Sequence, residues 1–165
     1  MKRSNFTTAI SALVPFAISL AASGAAGAAQ SYDLTNCGSA TVTVISASKA
    51  LTVLNIDFKG IARSTPAKQV FDNSTYHCGV TLRIAGAERS GTGYCKFMDT
   101  NGDYIVGEMT PLTPTGGAWK FLVGTGKWKG MTGGGKYVRL TRGKPIAPGT
   151  SQGCSRATGT YEVKK

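Results

Sequence analysis

From residue 40 onward, apolar and polar side chains alternate along the chain in short runs. Residues 40–48 set Val42 and Val44 against Thr41 and Thr43. Residues 51–59 set Leu54, Ile56 and Phe58 against Asn55, Asp57 and Lys59. Val80, Leu82 and Ile84 then alternate with Thr81 and Arg83. A period of two puts each set on one face of a half-buried β-strand. Residues 93–98 and 103–109 flank Asn101-Gly102, a strong short hairpin signal. Runs at 119–123, 136–142 and 157–163 complete the pattern. Between them lie Pro66, the Asp72–Thr75 polar cluster and a loop at 111–117. Seven or eight strands joined mostly by short turns, with no helix, predict an all-β fold: a small closed antiparallel barrel of about eight strands. A barrel of that size either fills its interior with side chains or holds one small ligand, and the pattern does not choose.

The densest local feature is a glycine-rich segment at 124–137, GTGKWKGMTGGGKY, with Trp128 and Tyr137 as its aromatic anchors. Gly124, Gly126, Gly130, Gly133 and Gly135 give it positions free of a Cβ. Between two strand-like runs they predict a tight corner, a bulge or a short helical turn at a barrel rim. Residues 130–136 also match the first seven positions of a phosphate-binding loop. The eighth, which should be Ser or Thr, is Tyr137, and a strand pattern follows where that loop needs a helix. The structural reading is the better one.

The N-terminus changes the picture of where the protein works. Lys2 and Arg3 precede an uncharged apolar or small stretch, and Ala26-Gly-Ala28 offers a small-residue cleavage site. This is the layout of a secretory signal peptide over residues 1–29, with one domain at 30–165. Its apolar core is too short and too interrupted for a membrane span, so the mature chain is expected to carry no transmembrane segment. Four cysteines follow, and an even number in an exported chain predicts two disulfides. Of three connectivities, Cys78–Cys95 is favoured, because a hairpin turning near residues 86–89 sets the two opposite each other. Cys37–Cys154 follows by elimination.

Charge is uneven. Residues 30–118 hold seven basic and seven acidic side chains, whereas residues 119–165 hold ten basic ones and only Glu162. Trp128 between Lys127 and Lys129 adds an aromatic to this basic third. The alternatives are a weak, salt-dependent polyanion contact and an ordinary solvated basic face; the second is preferred.

Three constellations resemble chemistry. Asp99, Asn101 and Asp103 place oxygens at alternate positions, as at the start of a calcium loop. The glycine and carboxylate that such a loop needs further on are Tyr104 and Thr110 here, and a turn bonded to its own backbone is the simpler reading. Gly149-Thr-Ser151-Gln-Gly153 matches a nucleophile elbow in letters only. The sole histidine, His77, precedes it, and no helix follows. His77 reads as a structural histidine, with Asp72 the nearest carboxylate in sequence that could orient it. Asn73-Ser-Thr75 has the form of a glycosylation acceptor.

The glycine segment, preceded by GYCKFMDTNGDYIVGE and followed by GTSQGCSRATGTYEV, resembles that of small exported bacterial proteins similar to the allene oxide cyclase barrel, whose wider relatives include the dirigent proteins. The shared feature is a G-x-G-x-(aromatic)-x-G stretch, and the likeness covers residues 70–165. It implies a closed antiparallel barrel and an exported location. It implies no activity, and no functional residue is carried over from it. Together these readings predict a periplasmic or secreted, non-enzymatic barrel, without a cofactor, that holds a small apolar ligand or serves as a structural envelope component. The alternatives are a cyclase or isomerase using the barrel cavity and a polyanion-binding surface module. No catalytic residue is assigned and the oligomeric state is left open. An open apolar cavity with one or two convergent polar groups would favour ligand binding or cyclisation, and a filled barrel would remove both.

Overall fold

A computed structural model describes residues 28–67, 69–110, 113 and 115–164. The leader expected over residues 1–29 lies outside the described residues, save Ala28 and Ala29. Eight strands follow in order: β1 (Gln30–Ala47), β2 (Thr52–Ser64), β3 (Ser74–Ala85), β4 (Glu88–Met98), β5 (Tyr104–Thr110), β6 (Gly116–Gly124), β7 (Met131–Arg142) and β8 (Thr150–Val163). Each pairs antiparallel with its neighbours in sequence, and β8 returns to β1, so the sheet closes into an up-and-down barrel without a free edge. The only helical element among the described residues is a single 3-10 turn, Gly126–Trp128.

The strands are longer than the alternation alone implied. β1 begins ten residues before residue 40, and Tyr32, Leu34, Asn36 and Ala40 point inward along it. β7 takes in Met131 and the glycines at 133–135, which sequence reading assigned to the corner. Glycine has no side chain to alternate, so the strand there leaves no period to read. The corner itself is real: Gly126 and Gly130 have φ of 49° and 78°, and Gly133 of 119°. The phosphate-loop match therefore lies partly within a paired strand.

Both disulfides are formed, and both join directly opposed residues of neighbouring strands. Cys78–Cys95 links β3 to β4 with its sulfurs inside the barrel. Cys37–Cys154 links β1 to β8 on the outer face, across the seam that closes the barrel. The outer wall is otherwise mainly polar, with Asp33, Thr35, Asn55, Asp57, Lys59, Lys96 and Thr158 facing outward. That is the reverse of the apolar outer band of a membrane-spanning barrel. Among the described residues no helix is long and apolar enough to cross a membrane.

The interior divides along the barrel axis. At the end holding the 65–73 connection, the β4–β5 turn and the 3-10 turn, aromatic rings fill the lumen. Phe71 enters from the connection and packs against Tyr32, Phe97, Phe121, Trp128 and Tyr161, with ring centroids 5.1–6.4 Å apart. Its backbone is left-handed, φ 62°, an uncommon state for a bulky residue that the surrounding packing must over-determine. Leu34, Ile105, Trp119 and Met131 complete this plug. The other end is open.

Candidate functional site

The open end is a cavity of about 470 Å³, within the range of small-ligand sites. Its walls follow from the strand period. Val42 of β1, Leu54, Ile56 and Phe58 of β2, and Val80, Leu82 and Ile84 of β3 face it, so the apolar set read from the alternation becomes its lining. The Cys78–Cys95 disulfide and Met109 continue the wall through β3, β4 and β5, with Cys95 Sγ 3.6 Å from Met109 Sδ. Phe97 and Trp119, the top of the aromatic plug, also border the cavity.

Polar groups enter at two levels. Deep in the cavity, Asn36 Oδ1 and the Tyr76 hydroxyl are buried and have no hydrogen-bond partner among the described residues. An unpaired buried polar atom costs free energy, about 1–3 kcal/mol each. The Tyr76 hydroxyl has reached its place because β1 and β2 present two glycines there, paired across the strands. A Cβ on Gly38 would lie 2.7 Å from that oxygen and one on Gly60 2.6 Å. Burial pushes the Tyr76 phenol well above its ordinary pKa, so it stays a neutral donor and acceptor. At the mouth, Arg89, Arg139 and Arg142 line the cavity beside Thr141, Ser151 and Gln152. None of these arginines forms an ion pair among the described residues. Tyr137 sits below Arg139; burial raises its phenol pKa and the guanidinium partly opposes that.

The lining includes no Asp, Glu, His or Lys, and its cysteines are all held in disulfides. The ionisable groups that line the cavity are phenols and guanidiniums. What the arrangement does well is hold an apolar body and meet one polar group at depth.

The residues singled out in the sequence fall elsewhere. Asp99 and Asp103 lie at the closed end and bind the glycine segment. Asp99 Oδ1 accepts from the Asn101 and Asp103 backbone N–H groups at 2.8 and 3.2 Å. Its Oδ2 accepts from Trp128 Nε1 at 3.2 Å and pairs with the Lys127 ammonium at 2.7 Å. Asp103 Oδ2 accepts from the Lys127 backbone N–H at 3.2 Å. Burial raises the Asp99 pKa, but Lys127, the Asn101 N–H and the Trp128 indole outweigh it, and the net shift is downward. Among the described residues no three His, Cys, Asp or Glu side chains gather as a metal site. Trp128 thus anchors the corner by its indole while its ring covers Phe71 at 5.1 Å.

His77 points outward, and the carboxylate that meets it is Asp57, across the sheet on β2 at 2.6 Å, rather than Asp72. Asp57 is held below its ordinary pKa by that bond and by Lys59. Asp72 Oδ1 accepts instead from Arg63 Nε and the Ser64 N–H, both at 3.0 Å. Ser151 lies on β8 at the cavity mouth, so the elbow-like letters form a strand, not a strand-to-helix turn. Asn36 and Tyr76 went unnoticed in the sequence, since nothing local marks a buried polar atom as unpaired.

These features define a closed antiparallel barrel with one end plugged and one end hollow. No protein-family model, no curated protein and no solved structure matches this chain.

Proposed function

We propose that this protein is an exported, non-enzymatic binding barrel that holds a small, largely apolar molecule in its open half. The observation that carries the reading is the apolar cavity with Asn36 Oδ1 and the Tyr76 hydroxyl unpaired on its inner wall. A ligand with one polar group would satisfy them while its apolar body displaces water from Leu54, Ile56, Leu82 and Ile84. The two disulfides support a periplasmic or secreted location, where such bonds persist. A closed eight-stranded antiparallel barrel is the fold that the resemblance of the glycine segment to allene oxide cyclase-type barrels implies. A cyclase or isomerase in the same cavity would have to act through the neutral phenols and guanidiniums alone, and the lack of a near-neutral base among the described lining residues favours binding.

The test is fluorescence titration with N-phenyl-1-naphthylamine, an apolar dye, on the native protein and on Val80→Trp, which places a ring in the cavity. Native protein is expected to enhance the dye's emission and the variant to bind it at least about tenfold more weakly, a loss of about 1.4 kcal/mol. Undiminished binding by a folded Val80→Trp protein would overturn the assignment. Native mass spectrometry of protein isolated from its own host then identifies any retained molecule.

A further inference from the structure

The three connections of the open end that are described throughout (48–51, 86–87 and 143–149), with the strand ends beside them, gather charge that is scattered in sequence. Lys49, Arg83, Arg89, Arg139, Arg142 and Lys144 come together there against a single acid, Glu88. None of the six cations enters an ion pair among the described residues. The closed end is different: Asp33 pairs with Arg156, Asp72 with Arg63, and Asp99 with Lys127. The excess of cations over acids is therefore larger at the mouth.

The same rim exposes apolar side chains. Val44 and Ile45 at the end of β1 are 56% and 59% exposed, and Ile146 on the β7–β8 connection is 84% exposed. The Val42 N–H donates to the Gly149 carbonyl at 2.7 Å, which brings that connection beside β1, five residues before the strand ends at Ala47. Ile45 and Ile146 therefore lie on the same side of the mouth, Ile146 in the connection that follows Arg142 and carries Lys144. Nothing in the described protein covers them.

We infer that the open rim is a docking surface for an anionic lipid bilayer, with Ile45 and Ile146 entering the headgroup region and the six cations contacting lipid phosphates. Apolar tips ringed by lysine and arginine combine the two terms that hold peripheral proteins at membranes, apolar burial and attraction to anionic headgroups. A polyanion in water would use the cations alone and leave the apolar tips exposed. Docked in this way, the mouth faces the bilayer, and an apolar ligand would pass between membrane and cavity without crossing water. The docking surface does not depend on the cavity being occupied.

The test is flotation of the disulfide-bonded protein with vesicles of phosphatidylcholine alone and of phosphatidylcholine with 30% phosphatidylglycerol (about one lipid in three, an anionic surface of the kind that attracts basic segments). Binding is expected only to the anionic vesicles and should weaken as salt rises. Each rim cation neutralised, as in Lys49→Gln or Lys144→Gln, should lower partitioning about fivefold. The double substitution Ile45→Ser with Ile146→Ser should weaken vesicle binding about tenfold or more while leaving retention on heparin unchanged. Lys129→Glu, at the closed end, should change vesicle binding far less than a rim substitution. Circular dichroism checks that each variant remains folded. Equal binding by the isoleucine variant and the native protein would overturn the inference in favour of a polyanion surface, and equal weakening by Lys129→Glu would overturn the orientation.

Discussion

The two halves of this barrel share one strand pattern and solve opposite problems with it. Each half has an inward tyrosine whose hydroxyl rests over a cross-strand glycine pair. In the closed half, Tyr32 lies over Gly135 and Gly159, where a Cβ on either would come within 2.5 Å of its oxygen. That hydroxyl accepts a 2.6 Å hydrogen bond from Trp119 Nε1. Burial pushes the Tyr32 phenol up to about 12 despite the indole bond. In the open half, Tyr76 lies over Gly38 and Gly60 in the same way, but its hydroxyl has no partner among the described residues. The glycines make room in both places. What differs between the two tyrosines is whether the chain supplies the other half of the hydrogen bond, and it does so for Tyr32, in the filled half. An unpaired polar atom facing an apolar hollow is one that a bound polar group could satisfy; Ser74 Oγ, buried at the packed end, is also unpaired among the described residues but does not line the hollow.

Breaking the barrel seam gives the largest expected effect. Cys37–Cys154 spans 117 residues and Cys78–Cys95 spans 17. In the chain-entropy account, replacing the first pair by serines should cost about 4–5 kcal/mol, and replacing the second by alanines about 3 kcal/mol. Denaturant unfolding of the two double variants checks the order. The next contrast is between side chains. Trp119→Ala opens a hole in the packed end and should cost about 3–5 kcal/mol. Leu82→Ala borders space that already exists and should cost about 1–2 kcal/mol in the same assay.

The tyrosines sharpen the comparison further. Tyr32→Phe strands the Trp119 indole N–H and should cost about 1–3 kcal/mol. Tyr76→Phe removes an oxygen that has no partner among the described residues, so stability should change by less than about 0.5 kcal/mol or rise. Equal losses in the two variants would remove the distinction between the halves. The smallest effect concerns acid. Asp33, through its Arg156 hydrogen bonds, and Asp99 have lowered pKa values in the folded state. Their stabilisation is present above the unfolded carboxylate pKa, about 4, and is lost as pH falls through the folded values. Melting temperature should therefore drop below about pH 4, and Asp99→Asn should flatten that drop.

Much of this architecture was legible in the residues. The period of two gave the inward set Leu54, Ile56, Val80, Leu82 and Ile84, and counting back from the turn at Gly86 set Cys78 opposite Cys95. The division of the lumen was not legible, because the plug is Phe71, a residue of a connection, held in a left-handed backbone that no local signal announces. Charge misled when counted along the chain. The basic excess lies in the last third of the sequence, but antiparallel folding brings Lys49, Arg83 and Arg89 to the same rim as Arg139, Arg142 and Lys144. Likewise the carboxylate beside His77 comes from the neighbouring strand, since Lys59 and not Asp72 is its register partner. Contacts set by register cannot be read from proximity in sequence.

The most direct test is a methyl NMR titration with N-phenyl-1-naphthylamine, which reads both halves of one molecule at once. The methyl groups of Leu54, Ile56, Leu82 and Ile84 should shift with the dye, while those of Leu34 and Ile105, inside the aromatic plug, should stay still. Shifts spread evenly over both sets, or confined to the plug, would contradict a barrel closed at one end and built to bind at the other.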